Sequence, residues 1–272
     1  MIKRGFTQIA EGDAHYRFAA GDRNKLPLVL IHMSPVASGS LVPLIRGIGG
    51  VRPVYAPDTL GNGDSCAPAV TDPDIGYYAD AVARILDSLD VERFDLYGVR
   101  TGASIATELA IARPNRVRRL VLDDVRLHSA QTMAAATETP CPPPDYIGSQ
   151  LGWAWQVMRD HAVFFPWFQP GGERRIALDM YDADYLHSLV VEVLTAVRTF
   201  GISYGASFRY KRADRVPLLR VPTMVIDEPT HRTFPDTRPT AAIIPGGVVG
   251  ELPPGDKSPR ATAAVINRFL DG

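Results

Sequence analysis

The stretch that most limits what this chain can become runs from Asp95 to Pro114, DLYGVRTGASIATELAIARP. An apolar run stops at Gly98, three residues cross to Gly102, and a helix-forming run follows until Pro114 ends it. A strand that turns into a helix across three residues leaves very little room, and two flanking glycines are what such a turn needs. Around this unit the same beat recurs. LPLVLIHM, VRPVYAPD and VRRLVLDD are short continuous apolar runs of the kind buried on both faces of a parallel sheet. DIGYYADAVARILDSLDV places Tyr78, Val82, Ile85, Leu86 and Leu89 at helical spacing, with Asp74 positioned to cap the start. Strand–helix–strand alternation at this spacing predicts an α/β fold with a mostly parallel sheet and right-handed crossovers.

After about residue 125 the beat stops. Residues 126–216 are aromatic and irregular and contain all three tryptophans, Trp153, Trp155 and Trp167. They read as a mostly helical insertion after the sixth strand, laid over the carboxyl edge of the sheet as a lid, with most of the aromatics forming its own core. The core resumes over 217–272, with strands expected at VPTMVIDE and at TAAIIPG (240–246). A last helix carries Ser258 as cap, Pro259 in the first turn and Gly272 beyond the end. GFTQIAEG and AHYRFAAG read as an edge hairpin, so residues 1–125 and 217–272 form the core domain.

Composition excludes several classes of partner. The chain is 272 residues long with a formal net charge of −1, which gives no electrostatic reason to expect nucleic acid or an anionic membrane. Cys66 and Cys141 lie far apart and form no metal or redox pair, so reduced thiols in a cytoplasmic setting are expected. The N-terminal segment has no apolar signal-like core, and no stretch approaches the apolar length of a membrane span. The sequence leaves the oligomeric state open.

Four segments in register resemble the α/β-hydrolase fold: VLIHMSP, VYAPDTLGNGDS, LYGVRTGASIATELAIARPNRVRRLVLDD and the resumed core after 217. The first is similar to the strand and loop that help to build an oxyanion hole in that family. The second resembles its D-x-x-G-x-G-x-S stretch, and the third its nucleophile elbow with the following helix and strand. The resemblance implies an enzyme of small organic molecules with a site at the elbow. The residues of the family's Ser–His–Asp triad do not carry over. Arg100 stands where the serine would, and a guanidinium that stays protonated is neither nucleophile nor base. The acid position falls near His231, with Asp227 and Glu228 close by. The histidine position falls near Val248, and no histidine follows His231.

A reassigned pocket is therefore expected. Arg100 would anchor or polarise an anionic or carbonyl-bearing substrate, or else be neutralised by Asp123, Asp124 or Asp58. The backbone N–H groups of Met33 and Thr101 would serve as oxyanion donors, and His32 or His231 would carry a proton. Ser34 and His128 are further pocket candidates, while His161 and His187 read as packing or surface residues of the lid. His32, His128 and His231 match no metal-ligand spacing, so neither metal nor cofactor is expected. The expected reaction is non-covalent, of lyase, decarboxylase or water-activated hydrolase type. The alternatives are a ligand-binding or scaffold protein without catalysis, and a hydrolase whose nucleophile has moved to Thr101 or Ser34.

Overall fold

In the computed structural model the described residues are 1–127, 141–164, 167–168, 170–172, 175, 180–229 and 237–272. Eight strands form one sheet: β1 (Ile2–Ile9), β2 (Gly12–Ala19), β3 (Leu28–Ile31), β4 (Val54–Pro57), β5 (Phe94–Val99), β6 (Val117–Asp123), β7 (Thr223–Asp227) and β8 (Val248–Glu251). Their spatial order is β1-β2-β4-β3-β5-β6-β7-β8. The β1–β2 hairpin joins β4 antiparallel, and every pairing from β4 to β8 is parallel.

The central strands β3, β5, β6 and β7 are buried on both faces, and their alternation divides the core into two layers. Val29, Ile31, Leu96, Leu120 and Leu122 face α2 (Ile75–Ser88) and α3 (Thr101–Ala112). Leu28, Leu30, Tyr97, Val121 and Met224 face α1 (Val42–Ile48) and the C-terminal helix Pro259–Asp271. Asp74 caps α2 as expected, its carboxylate accepting the Tyr77 N–H at 2.8 Å, and Ser258 caps the last helix through Ala261.

Between β6 and β7 the chain forms α4 (Ser149–Val163), α5 (Ala183–Thr195), α6 (Phe200–Arg209) and the single turn α7 (Arg212–Arg215). Aromatic side chains cluster on these helices. Trp153 stands edge-on to both Trp167 and Phe200, and Phe200 stacks on Tyr204 with ring centroids 4.9 Å apart. The helices sit on the carboxyl ends of the strands. Residue Thr199 donates to the Gly61 carbonyl, and Tyr185 on α5 reaches the Ser40 carbonyl in the 3₁₀ turn Ser38–Leu41.

The last part of the sheet differs from the expectation. Residues 240–246 are not a strand: Thr237–Ala242 is a helix (α8), and a turn follows. Thr240, Ala241 and Ile244 are the buried positions of this run, and that is helical spacing. The place beside β7 is filled by Val248–Glu251, so Val248 begins the final strand and does not occupy the loop after it. The helix Pro259–Asp271 (α9) closes the chain. No single helix among the described residues is long and apolar enough to cross a membrane.

Candidate functional site

The elbow between β5 and α3 is built by exclusion of side chains. A Cβ on Gly98 would run into the Gly102 carbonyl, and one on Gly102 would run into the Ile31 carbonyl and lie 2.6 Å from that of His32. The two glycines thus let α3 start directly against the end of β3. The strain falls on the residue between them: Arg100 has φ 53° and ψ −109°, a backbone state that L-residues rarely adopt.

At the same junction, the N–H groups of Met33 and Thr101 have no hydrogen-bond partner among the described residues. Thr101 opens α3, so its N–H has no carbonyl within the helix to reach. Both amides stand beside the tight β3–elbow contact, one on each of the two segments that meet there.

The Arg100 side chain is gripped on two sides. Its Nε donates to Asp124 Oδ2 at 2.5 Å, and its Nη1 meets His161 Nε2 from α4. Arg126 donates twice to the other Asp124 oxygen, at 2.9 and 2.7 Å. Burial would raise the Asp124 carboxyl, but the two guanidiniums outweigh it and hold the group well below the usual carboxylate range. His161 is pushed the opposite way. Burial, together with the charges of Arg100 and Arg126, holds it far below its ordinary value, so it is a neutral acceptor at physiological pH. Arg100 itself stays charged, because Asp124 more than compensates for burial. Its Nη2 makes no hydrogen bond among the described residues, and the side chain is 22% exposed. Tyr181, Tyr185 and Tyr204 lie close enough to feel its charge. Among the described residues one guanidinium edge is therefore left without a partner, close to tyrosines.

The other expected partners of Arg100 are engaged elsewhere. The Asp123 carboxylate accepts the Tyr97 hydroxyl at 2.8 Å, and its backbone carbonyl accepts the Arg100 N–H. Asp58 accepts from His15 Nδ1 and from the Ser38 and Asp64 N–H groups, holding the glycine loop. Of the three acids, Asp124 alone pairs with Arg100, because its backbone turns at φ 47° directly after β6 and brings its carboxylate under the elbow.

The histidines divide similarly. His32 is fully buried. Its Nδ1 meets the Met33 carbonyl at 2.8 Å, its Nε2 accepts the Thr59 N–H at 2.9 Å, and burial lowers its pKa. Both ring nitrogens are spent on holding the β3 and β4 loops together, which leaves neither for a substrate proton. His231 and His128 lie outside the described residues. His187 is exposed on α5. Asp227 pairs with Arg238, and Glu228 accepts the Gly255 N–H. The segment after the last strand begins at Leu252 and contains no histidine. Thr101 and Ser34 are buried, and neither hydroxyl is hydrogen-bonded to a histidine among the described residues.

Sequence reasoning missed His161. It is not a mere packing residue of the insertion but a direct partner of Arg100. A usable signal was present: Ala154, Val157, Met158 and His161 fall at helical spacing, which puts the imidazole on the buried stripe of α4. Arg126 and Arg212 were missed too. Arg212 is buried and donates to the Ser104 hydroxyl and to the Arg126 carbonyl, and burial brings its pKa down to about 10.

Comparisons with known proteins agree with this picture at the level of the fold. A family model described as the alpha/beta hydrolase fold matches residues 27–142. A 2-hydroxymuconate semialdehyde hydrolase from Pseudomonas sp. (strain CF600) is 39% identical over 114 residues, which is 38% of this chain and 40% of that protein. The matched stretch thus spans about two fifths of that relative. Among solved structures, a hydrolase from Pseudomonas aeruginosa PA01 superposes with a TM-score of 0.74 at 19% identity, over 99% of this chain and 98% of the other. The enol-lactonase from Burkholderia xenovorans LB400 gives 0.66 at 19% identity, over 98% and 97%.

Proposed function

This chain has the α/β-hydrolase fold, and on that scaffold we propose an enzyme that acts on a small organic molecule bearing both a carboxylate and a carbonyl, without a covalent serine step. One observation carries the reading. Among the described residues, the backbone N–H groups of Met33 and Thr101 are unpaired, and they stand beside an Arg100 whose Nη2 has no hydrogen-bond partner there. The amides would receive negative charge developing on the carbonyl oxygen, and Arg100 Nη2 would hold the carboxylate. Inserted helices rich in aromatic side chains would act as the lid, excluding water and favouring an apolar body. Because both ring nitrogens of His32 hold the β3 and β4 loops together, the proton carrier in this reading would be His231. The reaction would be lyase-like, decarboxylating or a hydrolysis with activated water. A substrate of the kind named for the 39% identical relative, 2-hydroxymuconate semialdehyde, combines the required groups.

The grip of Asp124 and His161 on Arg100 favours a second reading, a ligand-binding protein that keeps the pocket and has lost turnover. The test is binding of 2-hydroxymuconate semialdehyde by calorimetry, with product formation followed in parallel. Arg100→Met removes the charge while leaving Asp124 paired to Arg126, so the fold is expected to persist. Loss of a charge-assisted hydrogen bond is worth about 1.5–3 kcal/mol, or roughly 10- to 100-fold in Kd. Undiminished binding by R100M overturns the proposed site, and binding without turnover selects the second reading. Labelling of the wild type by a fluorophosphonate would instead point to a nucleophile at Thr101 or Ser34.

A further inference from the structure

We infer that Glu192, on the inserted helix α5, is a positioning residue that pins the inserted helices to the loop running on from Met33. The loop between β3 and α1 carries the Met33 N–H at one end and the 3₁₀ turn Ser38–Leu41 at the other. Glu192 reaches this turn from above. Its Oε2 accepts the Ala37 N–H at 2.9 Å, and the Ser40 amide lies near enough to favour the charged carboxylate. The fit is tight, since a Cβ on Gly39 would overlap Glu192 Oε1 and lie 3.2 Å from an Arg17 nitrogen. Gly39 is thus the gap through which the carboxylate enters. Ala37 has no other partner for this N–H among the described residues, so an insertion helix completes the backbone hydrogen bonding of a core loop.

The groups facing Glu192 come from every neighbouring element. Arg17 of β2 attracts its charge, and the Arg17 Nε is buried with no hydrogen-bond partner among the described residues. Asp58, just after β4, repels it. Tyr185, two turns earlier on α5, touches the Ser40 carbonyl through its hydroxyl. Ser38 donates its N–H to Asp58 and away from Glu192. With one cation, one anion and a partly buried seam, burial dominates and raises the Glu192 carboxyl to about 7.

The sign of the consequence follows from linkage. A group whose folded pKa is raised above its unfolded value stabilises the closed seam most at low pH. That contribution is lost between about pH 4.5 and about pH 7, and no more is lost above. The seam is therefore held by a protonated carboxyl and loosens as the pH rises to neutrality.

The inference rests on the functional reading above only in naming Met33 as a donor, and its test does not depend on a substrate. Amide hydrogen exchange of residues 33–41 is measured in the full chain from pH 5 to pH 8 and corrected for the intrinsic pH dependence. In the wild type the opening equilibrium is expected to rise more than about tenfold across this range and to level off above pH 7. Glu192→Gln, which keeps an acceptor and never ionises, should stay protected with no such rise. Glu192→Ala should lose protection of this loop already at pH 5, with the exchange of β5 and β6 unchanged as the control for folding. An equal rise in E192Q and wild type, or an E192A loop as protected as wild type at pH 5, overturns the inference. Binding of 2-hydroxymuconate semialdehyde is followed in the same samples. If the exchange pattern holds but no variant binds, the functional reading falls while the pin stands. If binding depends on Arg100 but exchange does not depend on Glu192, the pin falls alone.

Discussion

Arg100 is the residue on which the interpretation of the site turns. It occupies a strained backbone position, at φ 53°, that nothing in its own chemistry favours. Such strain costs on the order of 1–3 kcal/mol and persists only where surrounding structure enforces it. The enforcement comes from Gly98 and Gly102, which clear the space, and from Asp124 and His161, which hold the side chain. Gly102→Ala is accordingly expected to be severe, because its methyl would meet two backbone carbonyls that cannot turn aside. The expected loss is about 3 kcal/mol or more, seen as a drop in Tm of roughly 6–12 °C in a thermal melt. A G102A protein that melts with the wild type would mean that the elbow is not under this constraint. Much of this residue-level picture could be read from the sequence: both glycines and the guanidinium stand in the motif itself. The identity of the partner could not. Asp58, Asp123 and Asp124 all stand at strand ends on the same sheet edge, and the choice among them depends on a positive φ at Asp124 that no sequence pattern announces.

At the scale of elements, the helices of the core announce themselves and the inserted ones do so only in part. α2 carries a cap and an apolar stripe, and both were legible. Its Asp74 cap gives a clean check: Asp74→Ala removes the acceptor for the Tyr77 N–H and should cost about 1 kcal/mol, measured as a lower urea midpoint with an unchanged slope. A midpoint equal to wild type would show that the cap contributes nothing here. α8 shows the opposite case. TAAIIPG has a strand-like composition, yet it folds as a helix and a turn, because the slot beside β7 is taken by 248–251. Competition between two segments for one sheet position is a tertiary matter, decided by which can pair in register and still bury its apolar side chains.

At the scale of the whole molecule, Asp58 ties several parts together at the strand ends. It joins β4 to His15 of β2, to the 3₁₀ turn through Ser38, and to the glycine loop through Asp64. Burial raises its pKa, but hydrogen bonds led by the one from His15, with Ser38 beside it, outweigh burial and bring it down to about 2. A depressed carboxyl stabilises above its unfolded value and ceases to do so as the pH falls through the folded one. The wild type should therefore lose about 2 kcal/mol between pH 5 and pH 2 on this account. The stability gap between wild type and Asp58→Asn, measured by urea unfolding, should shrink over the same range. A gap that stays constant would remove Asp58 from the acid response.

What the sequence determined by itself was local and periodic: the β–α alternation, the caps, the glycine-bounded elbow and the charge at its centre. Each depends on neighbours a few residues away, where spacing translates directly into geometry. Tertiary structure decided how that charge is used. His161 lies 61 residues from Arg100 and Asp124 lies 24 away, and Glu192 reaches back 155 residues to Ala37. Such contacts are set by how the inserted helices settle on the sheet edge. Burial then neutralises His161 and raises Glu192, because a charge withdrawn from water keeps its state only if a partner stands beside it.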